Sequence, residues 1–184
     1  MNELSLHILD VVQNSIKANA SLVKIIVTEN TLDNSYVIEI IDNGHGMNEK
    51  TLSEVADPFF TTRTTRKVGM GVSLFKMAAE MADGSFVIES KVNQGTKVTA
   101  TFTNDHIDRA PLGEIEESII ILILNENDID IYYEQNLNQS QFVFDTREVR
   151  KVLDGIPFTN YDVIMWIKNN IKDGIHTILE EEQK

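Results

Sequence analysis

The sequence predicts an α/β fold, a two-layer sandwich with helices on one face of a mixed sheet, followed by a small α+β module. The first observation is the order of elements over residues 1–104: helix, strand, strand, loop, helix and hairpin. The second is a break in charge, because residues 105–184 hold 17 of the 29 acidic side chains but only 7 of the 16 basic ones. We therefore expect a domain at 1–104, a linker at 105–113 and an acidic module at 114–184.

A helix is predicted over residues 6–20, where apolar residues recur at helical spacing. The apolar stripe consists of Leu6, Leu9, Val12 and Ile16. Asp10, Asn14 and Lys17 fall together on another face of this helix. Such a face can orient a water with its carboxylate, offer an amide oxygen to Mg²⁺ and meet a phosphate with its ammonium group. The alternative, a solvated polar face, is the commoner meaning of such a stripe.

A strand is predicted at residues 37–41, and the turn Asp42–Met47 follows it. Glycine permits positive φ and lets a flat ligand lie against the backbone, so Gly44 and Gly46 suit a binding loop as well as a tight turn. A carboxylate at the end of a buried strand, here Asp42, can accept a hydrogen bond from an exocyclic amine such as that of adenine. An ordinary tight turn is the alternative.

A loop rich in threonine and basic residues follows at residues 57–67, with Phe59 and Phe60 as an aromatic anchor. It leads into Gly69-Met70-Gly71, at the start of a helix predicted to reach Ala82. A Gly-x-Gly sequence at a helix N-terminus presents free backbone N–H groups beside the positive end of the helix dipole, which suits a phosphate. The same sequence also caps helices that bind no ligand.

The fourth segment is a hairpin, predicted from residues 85–92 and 97–102 and joined by a turn at Gln94-Gly95-Thr96. In this order and spacing, the four segments resemble the GHKL ATPase family of gyrase-type topoisomerases, heat-shock chaperones, histidine kinases and MutL-type repair proteins. The resemblance covers roughly residues 3–103. Residues 58–74 are more similar to the histidine-kinase branch than to gyrase or MutL.

The resemblance implies a set of site residues and a cofactor, Mg²⁺ with ATP, bound by the Bergerat fold of the family. Asn14 matches the asparagine that ligates the metal, and Asp42 matches the aspartate that binds the adenine amine. The other nucleotide-binding positions that it implies are Lys17, Gly44, Gly46, Met47, Phe59, Thr62, Arg66, Lys67, Gly69, Met70, Gly71, Val72, Ser73, Leu74 and Thr96.

Asp10 is the candidate catalytic residue. It stands where the gyrase and MutL branches carry a glutamate as the water-activating base, and its side chain is one methylene shorter. His7 is the only early histidine and lies on the same predicted helix, so we expect a structural role for it rather than a phosphoacceptor role. The helical hairpin that bears the phosphoaccepting histidine of histidine kinases is not expected before this helix.

The resemblance favours a stand-alone regulatory kinase that phosphorylates a partner protein with Mg·ATP. Histidine kinases without their own phosphoacceptor domain and the anti-sigma serine kinases are the nearest parallels. One alternative is a nucleotide-sensing module with slow or no turnover, which controls a partner through residues 105–184. A hydrolysing ATPase of the MutL type ranks lowest, because no transducer domain is recognisable in the sequence.

Composition excludes several other classes. The net charge of −13 argues against a nucleic-acid-binding surface. No apolar run approaches about 20 residues, so no transmembrane span is expected. With no cysteine, the chain can form neither a disulfide nor a thiolate metal site. These features and a need for ATP fit a cytoplasmic protein with a protein partner; they leave the oligomeric state open.

In the acidic module, strands are predicted at residues 118–124, 130–134 and 141–144. Asp145 and Thr146 can cap a short helix. A final amphipathic helix is predicted from residue 160 or 161 to Leu179, and its stripe is expected to pack within the module, with a partner or dimer face as the alternative. The stripe comprises Val163, Ile164, Ile167, Ile171, Ile175 and Ile178.

The loop before the Gly-x-Gly sequence generates a prediction of its own. Residues 61–67 hold four threonines, two arginines and a lysine, so we expect a mobile lid that becomes ordered when Arg66 or Lys67 meets the γ-phosphate. Hydrogen exchange should then show stronger protection of residues 61–70 with a non-hydrolysable ATP analogue than with ADP. Equal protection with both nucleotides would remove the switching role.

Overall fold

The computed structural model describes residues 3–56, 71–125 and 128–182. Within these residues the chain forms six helices and six strands. The helices are α1 (Leu4–Lys17), α2 (Glu49–Ala56), α3 (Gly71–Met81), α4 (Ile115–Ile123), α5 (Thr146–Leu153) and α6 (Tyr161–Glu181). The strands are β1 (Leu22–Asn30), β2 (Ser35–Asp42), β3 (Ser85–Lys91), β4 (Gly95–Thr103), β5 (Asp130–Leu137) and β6 (Ser140–Asp145).

All six strands join one mixed sheet in the order β3-β4-β2-β1-β5-β6. Neighbouring strands are antiparallel except β1 and β5, which run parallel with Leu22 opposite Asp130 and Glu29 opposite Leu137. β2 lies in the inner part of the sheet, between β1 and β4, and its last residue, Asp42, is opposite Thr96 of β4. The carboxyl end of β2 therefore lies beside the start of β4, at the end of the sheet where these two strands finish and begin.

The helices pack on one face of the sheet and form the second layer. Alternate residues of the strands point into this interface and are buried, because successive side chains of a strand point to opposite faces of the sheet. The opposite face carries mixed polar and apolar side chains, including an ion pair between Lys97 and Glu39. The fully buried centre includes Leu4, Ile8, Ile25, Ile38, Phe75, Phe102, Ile119 and Tyr133. This arrangement confirms the predicted two-layer α/β fold.

Most predicted elements of residues 1–104 occur where the sequence places them, and α2 is an addition. The helix at residues 4–17, the strand ending at Asp42, the helix from Gly71 and the β3–β4 hairpin are all present. The unpredicted α2 follows Asn48, whose side-chain Oδ1 accepts a hydrogen bond from the backbone N–H of Thr51 at 2.9 Å. Asparagine before an acidic first turn is a helix-start signal.

The prediction of a strand at residues 118–124 is wrong, because this segment forms the helix α4. α4 packs between α1 and α6, and most of its side chains are buried, including Ser118 and Glu116. A helix that is buried on nearly all sides is apolar on nearly all sides, so its sequence lacks the 3.6-residue period that distinguishes it from a buried strand.

Residues 105–113 connect β4 to α4, and the backbone of this connection is fixed. Leu4 and Ser5 of α1 donate backbone hydrogen bonds to the carbonyl oxygens of Pro111 (2.9 Å) and Leu112 (2.8 Å). Beyond the connection, β5 and β6 continue the same sheet. One sheet therefore contains strands from both sides of the linker predicted at residues 105–113. The division into a domain at 1–104 and a module at 114–184 stays a prediction.

The last two helices begin as predicted. The side chain of Asp145 accepts a hydrogen bond from the N–H of Arg147 at the start of α5, and that of Asn160 accepts from Asp162 and Val163 at the start of α6. The apolar stripe of α6 is buried against the core, and the ring of Phe142 in β6 fills the position where a Cβ of Gly174 would lie. Packing within the protein, the expected role of this stripe, is confirmed.

Among residues 3–56, 71–125 and 128–182, we find no helix with the length and hydropathy needed to cross a bilayer.

The helical nature of α4 can be tested with two isoleucines. Ile119 is fully buried and Ile121 is 53% exposed, although residues two apart on a strand would share one face. Ile119→Ala should lower the free energy of unfolding by about 2–5 kcal/mol, and the matched control Ile121→Ala by no more than about 0.5 kcal/mol. Urea unfolding measures both, and similar losses would contradict the helical assignment.

Candidate functional site

The carboxylate of Asp42 ties three separate segments together. Its Oδ2 accepts a hydrogen bond from the Ser15 hydroxyl of α1 at 2.7 Å, and its Oδ1 accepts from the backbone N–H of Gly44 at 2.9 Å and of Thr96 at 3.2 Å. Asp42 is only 8% exposed. A buried carboxylate needs such donors, and two oxygens retain capacity for a further donor. The predicted adenine acceptor thus lies at the junction of α1, β2 and the β3–β4 hairpin.

The glycines around Asp42 are required by the packing of the protein itself. A Cβ on Gly44 would lie 2.7 Å from the carbonyl oxygen of Ala18, at the end of α1. A Cβ on Gly46 or Gly95 would overlap a backbone carbonyl of Lys91 or of Asp42, and both glycines have positive φ, +62° and +90°. The loop therefore packs against α1 and the hairpin at distances that only glycine permits.

The side chains that brace this loop are small and polar. Asn43 accepts hydrogen bonds from the backbone N–H groups of Ser21 and Leu22, which fixes the loop to the start of β1. On the other side, Ser90 Oγ accepts from the N–H of Met47 at 2.9 Å and contacts Thr96 Oγ1 at 2.9 Å. The loop is therefore held on both sides before any ligand binds.

Asp10 and Gly71 are brought into direct contact by the packing of α1 on α3. A Cβ on Gly71 would lie 2.5 Å from Asp10 Cβ and 2.9 Å from its Oδ2. The candidate catalytic carboxylate therefore lies against the first turn of α3, at the positive end of the helix dipole. In the same turn, the Ser73 hydroxyl oxygen is buried with no hydrogen-bond partner in the part of the chain that the structure describes. A buried polar atom of this kind calls for a partner, and a phosphate oxygen can supply it.

The remaining predicted residues divide into two groups by exposure. Asn14 is half-buried one turn beyond Asp10, and Lys17 is exposed at the end of α1, so the predicted polar stripe follows one side of the helix. Val72 is buried in the core, which leaves its backbone as the only part available to a ligand. Leu74, in contrast, is 39% exposed.

Six predicted positions lie outside the described residues: Phe59, Thr62, Arg66, Lys67, Gly69 and Met70.

His7 has a structural position, as expected from the sequence. It is 3% exposed, and its ring stacks on that of Phe75 with the centroids 5.2 Å apart and the planes 9° apart. Burial lowers the pKa of its imidazole, because the charged form loses hydration there. The ring joins α1 to α3 next to Asp10.

Ser15 and Ser90 belong to the site although the sequence analysis missed them. Ser15 follows the candidate metal ligand Asn14, and it donates to Asp42, 27 positions later in the chain. Ser90 lies 43 residues from Met47. Hydroxyl side chains have no distinctive spacing. For Ser90 the available signal is the predicted hairpin, which places it opposite Thr96, and for Ser15 it is the position next to Asn14.

Comparison with known proteins agrees with this arrangement. A sequence model described as histidine kinase-, DNA gyrase B- and HSP90-like ATPase matches residues 2–106, more than half of the chain. The chain belongs to this family. Within the family, the resemblance to the histidine-kinase branch is confirmed by its relatives, and membership of the family implies ATP binding.

Three relatives illustrate the similarity. Sporulation kinase D of Bacillus subtilis is 33% identical over 94 residues, which cover 51% of this chain and 18% of the relative. Sensor protein kinase FleS of Pseudomonas aeruginosa is 34% identical over 110 residues (60% and 27%), and sensor histidine kinase YvrG of B. subtilis is 27% identical over 93 residues (48% and 16%). The chain spans less than a third of the length of each of these relatives.

The residues where the carboxyl end of β2 meets α1 and α3 fit ATP. Asp42 supplies a buried acceptor, Ser73 a hydroxyl with no partner among residues 3–56, 71–125 and 128–182, and Asn14 of α1 a half-buried amide oxygen. No group of three or more His, Cys, Asp or Glu side chains that could hold a metal occurs in the described ranges 3–56, 71–125 and 128–182. A metal bound through one amide and the phosphates of ATP does not need such a group, since Mg²⁺ retains several waters.

Replacement of Asp42 by asparagine tests the adenine assignment. In Asp42→Asn, an amide NH₂ group replaces one oxygen of the charged acceptor and can face the adenine amine, which is also a donor. ATP affinity should therefore fall about ten- to a hundredfold, which corresponds to about 1.5–3 kcal/mol. Glu39→Gln is the matched control, because Glu39 lies on the same strand but on the opposite face, paired with Lys97. Titration with a fluorescent ATP analogue measures all three proteins, and unchanged affinity in Asp42→Asn would remove the assignment.

Proposed function

We propose that the protein is a regulatory kinase that transfers the γ-phosphate of Mg·ATP to a partner protein. The observation that carries the proposal is the contact between Asp10 and Gly71, which places a carboxylate beside the first turn of α3. Similarity to sensor kinases supports the same reaction class. A cytoplasmic setting and a role in signal transduction are part of the proposal.

The adenine end and the phosphate end of the nucleotide are assigned to different elements. Asp42 would bind the adenine amine at the end of β2, and Ser73 with the N–H groups of α3 would bind phosphate. Asn14, one turn after Asp10 on α1, would hold Mg²⁺. When bound, the metal would neutralise charge on the phosphates.

Asp10 would act as the general base in this reaction. It would accept the proton of the partner's attacking side chain as that side chain bonds to the γ-phosphorus. The bond from the γ-phosphorus to the β–γ bridging oxygen would break, and ADP would leave. Its short side chain reaches the start of α3 because Gly71 has no Cβ, so the two helices approach closely.

A second candidate function, a nucleotide sensor without significant turnover, is favoured by the contacts of α1. This helix carries Asp10 and Asn14 and also packs on α4, where Ser118 Oγ donates to the Ser5 carbonyl oxygen at 3.2 Å. A shift of α1 on nucleotide binding would therefore reach α4 and, through it, α6. In this alternative a partner would read the position of these helices.

Replacement of Asp10 separates the two functions. If Asp10 is the general base, Asp10→Asn should retain near-normal ATP binding and lose roughly 10²–10⁴-fold in phosphotransfer rate. Incubation with γ-labelled ATP and cell extract, followed by detection of labelled protein, measures the transfer.

Asn14→Ala provides the contrast, because it should weaken the Mg²⁺-dependent part of ATP binding. Wild-type turnover in Asp10→Asn would remove the catalytic role. The absence of labelled protein with any extract, together with ATP binding that depends on Asp42, would favour the sensor.

A further inference from the structure

We infer that β6 is a dimerisation edge, at which two copies of this chain pair antiparallel about a two-fold axis through Val143. β6 is the last strand of the sheet order, so no strand of the described residues 3–56, 71–125 and 128–182 lies on the outer side of its backbone. No backbone hydrogen bond joins Gln141 or Val143 to an element other than β5 within the described residues. This surface lies outside residues 2–106, the part that matches the family.

The register of the β5–β6 hairpin decides which backbone groups of β6 are free. Leu137 is opposite Ser140 across a two-residue turn, and such closing pairs exchange hydrogen bonds. Pairs then alternate along the hairpin, so Val143, opposite Glu134, forms a non-hydrogen-bonded pair. The N–H and C=O groups of Val143 therefore point away from β5, as do those of Gln141.

These free groups are self-complementary. In an antiparallel pair centred on Val143, the two copies of this residue would exchange both of their N–H···O=C bonds. Gln141 of one copy would lie opposite Asp145 of the other, and Phe142 opposite Phe144. An amide opposite a carboxylate is a favourable cross-strand pair, and a two-fold axis repeats it. Phe144 is only 3% exposed, so its ring stays in the core of its own copy.

The charges of the chain also favour this edge. Residues 135–144 carry no charged side chain, although residues 105–184 are strongly acidic. Natural sheet edges are usually protected by charges, proline or bulges. The other edge strand, β3, contains Glu89 and Lys91. One edge strand thus carries charged side chains, whereas residues 140–144 of the other carry none and Asp145 at its end is paired with Arg147. Val143 is 42% exposed.

A second copy fits this edge better than an unrelated strand does. Two highly acidic copies repel each other at most surfaces, so an uncharged strip is where they can approach. In this register Val143 faces itself and Gln141 faces Asp145 of the other copy, so no two like charges lie opposite each other along the strand. Pairing would join two six-stranded sheets into one continuous sheet of twelve strands.

Sedimentation velocity over a range of concentrations tests the dimer. Wild-type protein should dimerise reversibly, and Val143→Lys should raise the dimer dissociation constant at least tenfold, because like charges would face each other at the axis. Val87→Lys is the matched control: Val87 lies on the opposite edge strand, on the same face of the sheet, and is 49% exposed. A monomeric wild type, or equal effects of the two substitutions, would overturn the inference.

Single cysteines test the register independently of any charge effect, since the natural chain has none. In Val143→Cys the two Cα atoms would lie about 5.5 Å apart, within the range of a disulfide, so oxidation should give a covalent dimer. Gln141→Cys should not cross-link, because its two copies would be about 13 Å apart along the strands. Cross-linking of both variants to the same extent, or of neither, would overturn the proposed axis.

Discussion

The buried carboxylate of Asp42 is the interaction on which the rest of the site depends. Its donors come from α1, from the loop after β2 and from the start of β4, so three chain segments converge on two oxygen atoms. Without these donors, a nearly buried carboxylate would be strongly destabilising. The group that we propose for adenine recognition thus also fixes the relative positions of α1, the loop after β2 and the start of β4.

The first half of the fold follows from the sequence because its signals are local. Helical spacing at residues 6–20, the two-glycine loop after β2 and the turn at Gly95 each specify one element without reference to the rest. The helices after Asp145 and Asn160 were also predictable, since both residues satisfy backbone N–H groups at a helix start. Agreement of these signals with a known order of motifs identified the family.

Other features depend on contacts between distant residues. α4 resembles a buried strand in sequence because it packs on α1, α6 and β5, which bury most of its side chains. The parallel pairing of β5 with β1 has no local signal, and it converts an expected separate module into an extension of the sheet. In the site, Ser15 and Ser90 were missed for the same reason: each acts on a partner far away in the chain.

The parallel pairing of β1 with β5 also affects the order in which the protein can fold. Leu22 and its partner Asp130 are 108 positions apart, whereas β1 and β2 are joined by a short turn. Until β5 has been synthesised, one side of β1 has no strand beside it, and pairing across so long a separation is slow because the closed loop is large. The nascent chain therefore exposes an apolar strand edge during synthesis, a state in which chaperones can bind and aggregation can begin.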